Sequence, residues 1–264
     1  MLQQNGLMEP PSEAPRPRPP AWADDWALFL DVDGCLLDFA DAPDRVVVPV
    51  ELPGAIAALA DRLHGAVTLV SGRALSVLDQ LFPVLRQMPA AGLHGLELRG
   101  PGIANAPPSA PAELQCVRAE AEAIVRAWPG AMVESKGPNL ALHWRMAPSA
   151  AQSFQGLAFA ALPRLPGYRV QAGDHVLELR PDGDLDKGTA IQALMAVPPF
   201  RGRVPVFIGD DLTDEHGFAV VNARGGYSVL VGSRDDSAAR YALPDPASVR
   251  AWLHAMAAEK TVQA

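Results

Sequence analysis

Cysteine is nearly absent: the 264-residue chain has two, Cys35 and Cys116, far apart and in no metal-ligand spacing. That argues against a disulfide framework and leaves two free thiols suited to a reducing compartment. A basic excess is also missing. Lysine and arginine total 22 against 30 acidic residues, a formal net charge of −8. This argues against a general nucleic-acid binder, because phosphate backbones select basic faces. It leaves room for a small phosphorylated substrate, which needs only a local positive pocket. No apolar run approaches the roughly 18 residues of a membrane span. The start of the chain lacks the basic-then-apolar order of a signal peptide. The expectation is therefore a cytoplasmic protein with no membrane partner. No internal repeat is visible.

What is present is an ordinary globular composition, 49% hydrophobic and 20% charged, in a chain long enough for a domain with a sizeable insert. Residues 1–22 are expected to be a disordered tail, because Pro10, Pro11, Pro15, Pro17, Pro19 and Pro20 leave few backbone donors and no apolar periodicity. From Trp26 the pattern changes. Trp26-Ala27-Leu28-Phe29-Leu30 reads as a buried strand, and Leu52, Ile56, Leu59 and Leu63 recur at helical spacing. Further buried strands are expected at 66–70, 204–208 and 227–231, with Pro205 awkward inside a central strand. Strands alternating with helices predict an α/β fold with a doubly wound parallel sheet, a Rossmann-like core. The middle reads as helix, two strands, helix, two strands, an α+β cap. The expected boundaries are 23–98 and 179–264 for the core and 99–178 for the inserted cap.

Polar residues stand at the C-terminal ends of the core strands, the edge where open α/β sheets bind ligands. Asp31-Val32-Asp33-Gly34 places two aspartates two apart, with a glycine that permits close approach to an anion. Ser71-Gly72-Arg73 offers a hydroxyl and a small residue for a phosphoryl oxygen. Asp186-Lys187-Gly188 begins a helix. Asp210, Asp211, Asp214 and Glu215 put four carboxylates within six residues. Acids that dense repel unless a cation binds, and hard oxygen ligands favour Mg²⁺. Singly, each motif has a structural reading: a turn, a strand-to-helix turn, a solvated lysine, a helix start whose acids offset the dipole. Their joint order carries the functional one.

That ordered set resembles the four signature motifs of the haloacid dehalogenase superfamily of phosphatases, over almost everything from about residue 26 onward. More narrowly, the chain resembles the trehalose-6-phosphate phosphatase family. The residues that carry this are Gly92-Leu93-His94-Gly95-Leu96-Glu97, Glu134-Ser135-Lys136, Leu140-Ala141-Leu142-His143-Trp144-Arg145, Glu178-Leu179-Arg180-Pro181 and Gly209-Asp210-Asp211-Leu212-Thr213-Asp214-Glu215. Cys35 departs from the family's usual threonine; the change is mild if only the backbone matters there.

The residues and the resemblance agree on a mechanism. Asp31 is the nucleophile, forming an aspartyl-phosphate, and Asp33 the general acid and then base. The resemblance implies Mg²⁺ held by Asp31, the Asp33 carbonyl and Asp210. It implies Ser71, Gly72 and Lys187 on the phosphoryl oxygens, and Asp211 and Asp214 orienting water ligands or Lys187. It matches Glu134, Lys136 and Glu178 to sugar-hydroxyl contacts, with His94 facing the same cleft. Without the family match, Glu134 and Lys136 would also have a lesser reading as a solvated strand face, being two apart on one side of a strand. For His143 and Arg145 the sequence favours neither a structural nor a functional role. The expected substrate is trehalose 6-phosphate, supplied by a trehalose-phosphate synthase. The alternatives are another sugar phosphate, such as sucrose phosphate or a mannosyl phosphate, and a non-catalytic trehalose-phosphate sensor.

Overall fold

The computed structural model describes residues 15–40 and 43–258. Its core strands are short and apolar throughout because both faces of the sheet are covered. β1 (Trp26–Leu30) is buried at all five positions. The chain continues through α1 (Leu52–Arg62), β2 (Val67–Val70), α2 (Leu75–Leu81), β3 (Ala90–Gly92), β4 (Glu97–Gly100) and β5 (Ile103–Asn105). A second unit follows: α3 (Ala112–Ala127), β6 (Met132–Lys136), β7 (Asn139–His143), α4 (Ala151–Ala161), β8 (Tyr168–Gly173) and β9 (Val176–Pro181). The chain then returns through α5 (Lys187–Met195), β10 (Val204–Gly209), α6 (Glu215–Ala223), β11 (Tyr227–Val231), β12 (Tyr241–Leu243) and α7 (Pro246–Ala258).

The large sheet runs β12-β11-β10-β1-β2-β3-β4-β5. It is parallel from β12 to β3 and antiparallel from there to β5. The strand order turns back between β1 and β10, the switch point where this class of sheet opens a crevice. α1 packs with α7 and α5 with α6, supplying the helical layers. The smaller sheet, β6-β7-β9-β8, is antiparallel and has its own core with α3 and α4. Leu114, Val117 and Ala121 of α3 recur at helical spacing and are buried there. The two hydrophobic clusters are separate, so the second unit is a cap set on the core.

Three expectations change. Residues 99–105 join the core, because β4 and β5 pair into its sheet through the turn at Pro101-Gly102. The cap's own sheet starts at Met132 and its last strand runs on to Pro181. The tail is fastened over residues 15–22. Arg16 donates to the carbonyls of Arg234, Asp235, Ser237 and Ala239 at 2.8–3.0 Å, and Ala242 N–H donates to Pro17 O at 3.0 Å. Residues 1–14 lie outside the described part. Pro205 proves harmless within β10: the pairing with β11 begins only at Val206, so no neighbour asks for its missing N–H. Among the described residues no helix is long and apolar enough to cross a membrane.

Candidate active site

β1 ends at Asp31, whose buried carboxylate points into the crevice. The chain then doubles back: Gly34 N–H donates to Leu37 O, and both Leu36 and Leu37 donate to Val32 O. Gly34 has φ +73°, and a Cβ there would stand 2.2 Å from Asp210 Oδ2, so the turn and its closeness to the next strand both demand glycine. Lys187, first residue of α5, reaches the same point. Its Nζ lies 3.0 Å from Asp31 Oδ1 and 2.7 Å from Asp214 Oδ1. Burial works against the ammonium, but Asp214 and Asp31 outweigh it and hold Lys187 well above its usual range.

Oxygens of Asp31, Asp210 and Asp214 lie within 4.8 Å of one another. Asp214 is already saturated. One oxygen accepts a hydrogen bond from Lys187 Nζ, and the other accepts from the N–H groups of Asp210 and Asp211 at 3.0 and 2.9 Å. It clamps the loop and leaves Asp31 and Asp210 to face each other. Asp210 Oδ1 is buried with no hydrogen-bond partner. Burial first, then the charges of Asp214 and Asp211, push Asp210 up to about 7 against the pull of Lys187. Asp31 is raised too, by burial and then by Asp214, with Lys187 opposing. Two carboxylates and an orphaned oxygen therefore share too little positive charge, and this set fits a hard divalent cation.

The second strand end supplies Ser71, Gly72 and Arg73. Gly72 lines the crevice, and a Cβ there would stand 2.5 Å from His94 Nε2. Ser71 is fully buried behind it, its Oγ accepting from Arg73 N at 3.1 Å. Arg73 grips Asp33 with two bonds of 2.7 Å, from Nε and from a terminal nitrogen. Both Asp33 oxygens are thus engaged as acceptors.

The cap faces this constellation across a cavity of about 650 Å³, within the roughly 300–1,000 Å³ of small-molecule sites. On β6, Glu134 and Lys136 share a side, with Lys136 Nζ 3.4 Å from Glu134 Oε2. His143 Nε2 lies 2.9 Å from the same oxygen. On β9, Glu178 accepts from Asn139 Nδ2 at 2.8 Å and lies 3.3 Å from His94 Nε2. Burial opposes the Glu178 charge, yet Lys136, His94 and Asn139 prevail and hold it well below the usual carboxylate range. His94 is lowered, chiefly by burial and despite Glu178. A carboxylate–lysine–carboxylate array of this kind binds hydroxyls by accepting and donating at fixed points.

Comparison with known proteins decides what this assembly belongs to. The family described as trehalose-phosphatase matches residues 29–247. The chain belongs to the trehalose-phosphatase family. It is 43% identical over 210 residues to a probable trehalose-phosphate phosphatase of Sinorhizobium fredii, covering 79% of this chain and 78% of that one. It is 39% identical over 229 residues to the trehalose-6-phosphate phosphatase of Escherichia coli K12, covering 86% and 85%. Its fold matches the C-terminal domain of C. albicans trehalose-6-phosphate phosphatase with TM-score 0.76 at 20% identity, over 93% of this chain and 99% of that one. The fold is that of the haloacid dehalogenase superfamily.

The structure brings Asp31, Asp33, Gly72, His94, Glu134, Lys136, Glu178, Lys187, Asp210 and Asp211 to one cavity. Ser71 and Asp214 stand just behind it, buried. Asp211 Oδ1 accepts from Leu212 N at 2.6 Å and so caps the turn it starts. Cys35 points away from the cleft, its Sγ 3.6 Å from Ile208 O in the core, so it acts there as a packing residue. Sequence reading passed over the Arg73 partner of Asp33, the Asn139 support of Glu178 and the His143 support of Glu134. Asn139 opens the strand candidate at 139–145; the register of β7 and β9 sets Ala141 opposite Glu178, and Asn139, two residues away on the same side, reaches its carboxylate. Phe39 and Arg234 also line the cavity without a motif to announce them.

Proposed function

We propose that the chain hydrolyses trehalose 6-phosphate to trehalose and inorganic phosphate with Mg²⁺ as cofactor. The observation that carries this reading is that Glu134, Lys136 and Glu178 of the cap face Asp31 and Lys187 of the core across one cavity. Asp31 attacks phosphorus and the sugar oxygen leaves, which splits one hard displacement into two. Lys187 and the Gly72 N–H hold phosphoryl oxygens, and the Ser71 hydroxyl hydrogen turns to a third. Asp33 gives the leaving oxygen its proton and later takes one from the attacking water. Because Arg73 occupies both Asp33 oxygens, that pair opens and Asp33 takes up a proton from solvent before one is given; the substrate's phosphate is a competing partner for Arg73. Asp31, the Asp33 carbonyl and Asp210 would hold Mg²⁺. When bound, it offsets charge on the phosphoryl oxygens and keeps Asp31 ionised. Asp214 fixes Lys187 and the Asp210 backbone.

Glu134, Lys136 and Glu178 hold sugar hydroxyls, and this remote binding helps close the cap and orient the ester. A panel of sugar phosphates assayed for released phosphate tests the reading. Trehalose 6-phosphate should be the best substrate, and excess chelator should stop turnover until Mg²⁺ is returned. Glu134→Ala and Glu178→Ala should each lower its specificity constant roughly 10- to 150-fold, with far less effect on p-nitrophenyl phosphate. Preference for sucrose phosphate or a mannosyl phosphate would sink the substrate assignment. Equal losses on both esters would assign the two glutamates to folding.

A further inference from the structure

Beside the catalytic cleft, sharing His94, Gln171, Ala172, Lys187, Leu212 and Thr213 with it, lies a second cavity of about 310 Å³. Its walls are β8, the end of β9, the start of α5 and the turn at Leu212-Thr213. Arg169 and Arg180 stand opposite each other in the β8–β9 register, so two like charges share one wall. Arg180 is 1% exposed. It donates to Gln171 Oε1 at 2.8 Å and to Leu185 O at 2.9 Å, but its Nε is buried without a partner. The Nε of Arg169 and the Oγ1 of Thr213 are buried and unpartnered as well.

The acceptors nearby are spoken for. Gln171 Oε1 serves Arg180. Asp186, the one carboxylate on the wall, accepts from Thr189 N with one oxygen and faces His216 Nδ1 at 3.3 Å with the other. Asp182 comes no nearer to Arg169 Nε than 4.0 Å. What is left over is donors, and buried donors without acceptors are costly and uncommon. Burial lowers Arg180 from its usual range, with Arg169 adding to it, although Glu178 and Asp186 oppose them. An anion between the two guanidiniums would relieve that repulsion.

We propose that this cavity is a second anion site, which binds a small tetrahedral oxyanion, inorganic phosphate, apart from the catalytic phosphoryl position. The donor set alone calls for an oxyanion. The choice of phosphate rests on the phosphatase reading, because turnover releases it in the adjoining cavity. Arginine pairs grip such ions by forked hydrogen bonds, and Thr213 adds a hydroxyl.

Equilibrium dialysis with radiolabelled phosphate tests this on the Mg²⁺-loaded enzyme, with and without beryllofluoride to block the Asp31 position. The blocked enzyme should retain one phosphate per chain. Arg169→Gln should weaken that binding at least tenfold while turnover without added phosphate stays within twofold of the parent. The Arg169 side chain is 38% exposed, so the variant should fold; Thr213→Val gives a second, independent loss at the same site. Blocked enzyme that binds no phosphate, or phosphate binding unchanged in both variants, would overturn the proposal. Failure to turn over any sugar phosphate would instead strike at the proposed function, and the binding measurement would still stand.

Discussion

Lys187 carries one positive charge against three carboxylates, and the consequences fall on Asp210. Its carboxyl is pushed up to about 7, far above the ordinary value near 3.8. A group raised on folding adds stability that is full below its unfolded pKa and is lost as pH rises through its folded pKa. The metal-free protein should therefore lose melting temperature as pH rises from about 4 to about 7. Mg²⁺ should cancel the slope by giving the ionised pair a partner, and Asp210→Asn should flatten it without metal. Thermal melts across that range, with and without Mg²⁺, check both. A metal-free melting temperature that rises steadily over this window would refute the account. At this scale the sequence was most informative. Asp31, Lys187 and Asp210 sit at strand ends or a helix start, positions that periodicity alone locates. Arg73, His143 and Asn139 were not legible in role, because pairing across the crevice or between strands depends on register and reach, which no local pattern carries.

Among elements, residues 15–22 ahead of β1 were misread, and the reason is physical. A proline-rich stretch has little to hold it locally, yet one arginine anchored elsewhere is enough to fasten it. Arg16 meets four carbonyls of the loop at 234–239. That loop in turn holds the acidic turn: Ala238 N–H donates to Glu215 at 2.8 Å, and Arg234 pairs with Glu215 and donates to Asp211 O. Partners more than 200 residues apart leave no trace in composition. The β4–β5 hairpin was misplaced for a similar reason: Pro101 marks a turn whether the chain leaves the sheet or folds back along it. Arg16→Ala should cost on the order of 1–3 kcal/mol of stability and raise the Mg²⁺ concentration needed for half-maximal activity. Arg16→Lys should recover little of either, since a lysine cannot span four carbonyls. Melting temperature and metal titration together read this. A wild-type melting curve for Arg16→Ala would mean that the brace is dispensable.

At the scale of the whole molecule, two separate cores meet across one cleft, bridged by side chains from both. His94 to Glu178 is one link, deep in the cavity. A second stands at the rim. Phe39, on the turn that follows Asp33, is 56% exposed, an unusual place for an aromatic ring unless something uses it. Its edge lies against Gly34, beside Asp210. The guanidinium of Arg145, just past β7 on the cap, stacks over that ring at 4.9 Å and is steadied by Asp174 at 2.9 Å. Such a contact is worth about 0.5–2 kcal/mol, or roughly 2- to 30-fold in a rate that depends on it. If it helps set how the cap lies on the core, its loss should fall on a substrate that needs the cap. Phe39→Ala and Arg145→Ala should each lower the specificity constant for trehalose 6-phosphate by about tenfold. Both should leave p-nitrophenyl phosphate nearly unchanged, and the double variant should be no worse than either single one. Phe39→Trp, which keeps an aromatic face, should retain most activity. Full additivity of the two substitutions would show that they act separately. An equal loss on both esters would place the Phe39 ring's effect on the turn at Asp33 and Gly34, inside the catalytic machinery, instead of on the cap.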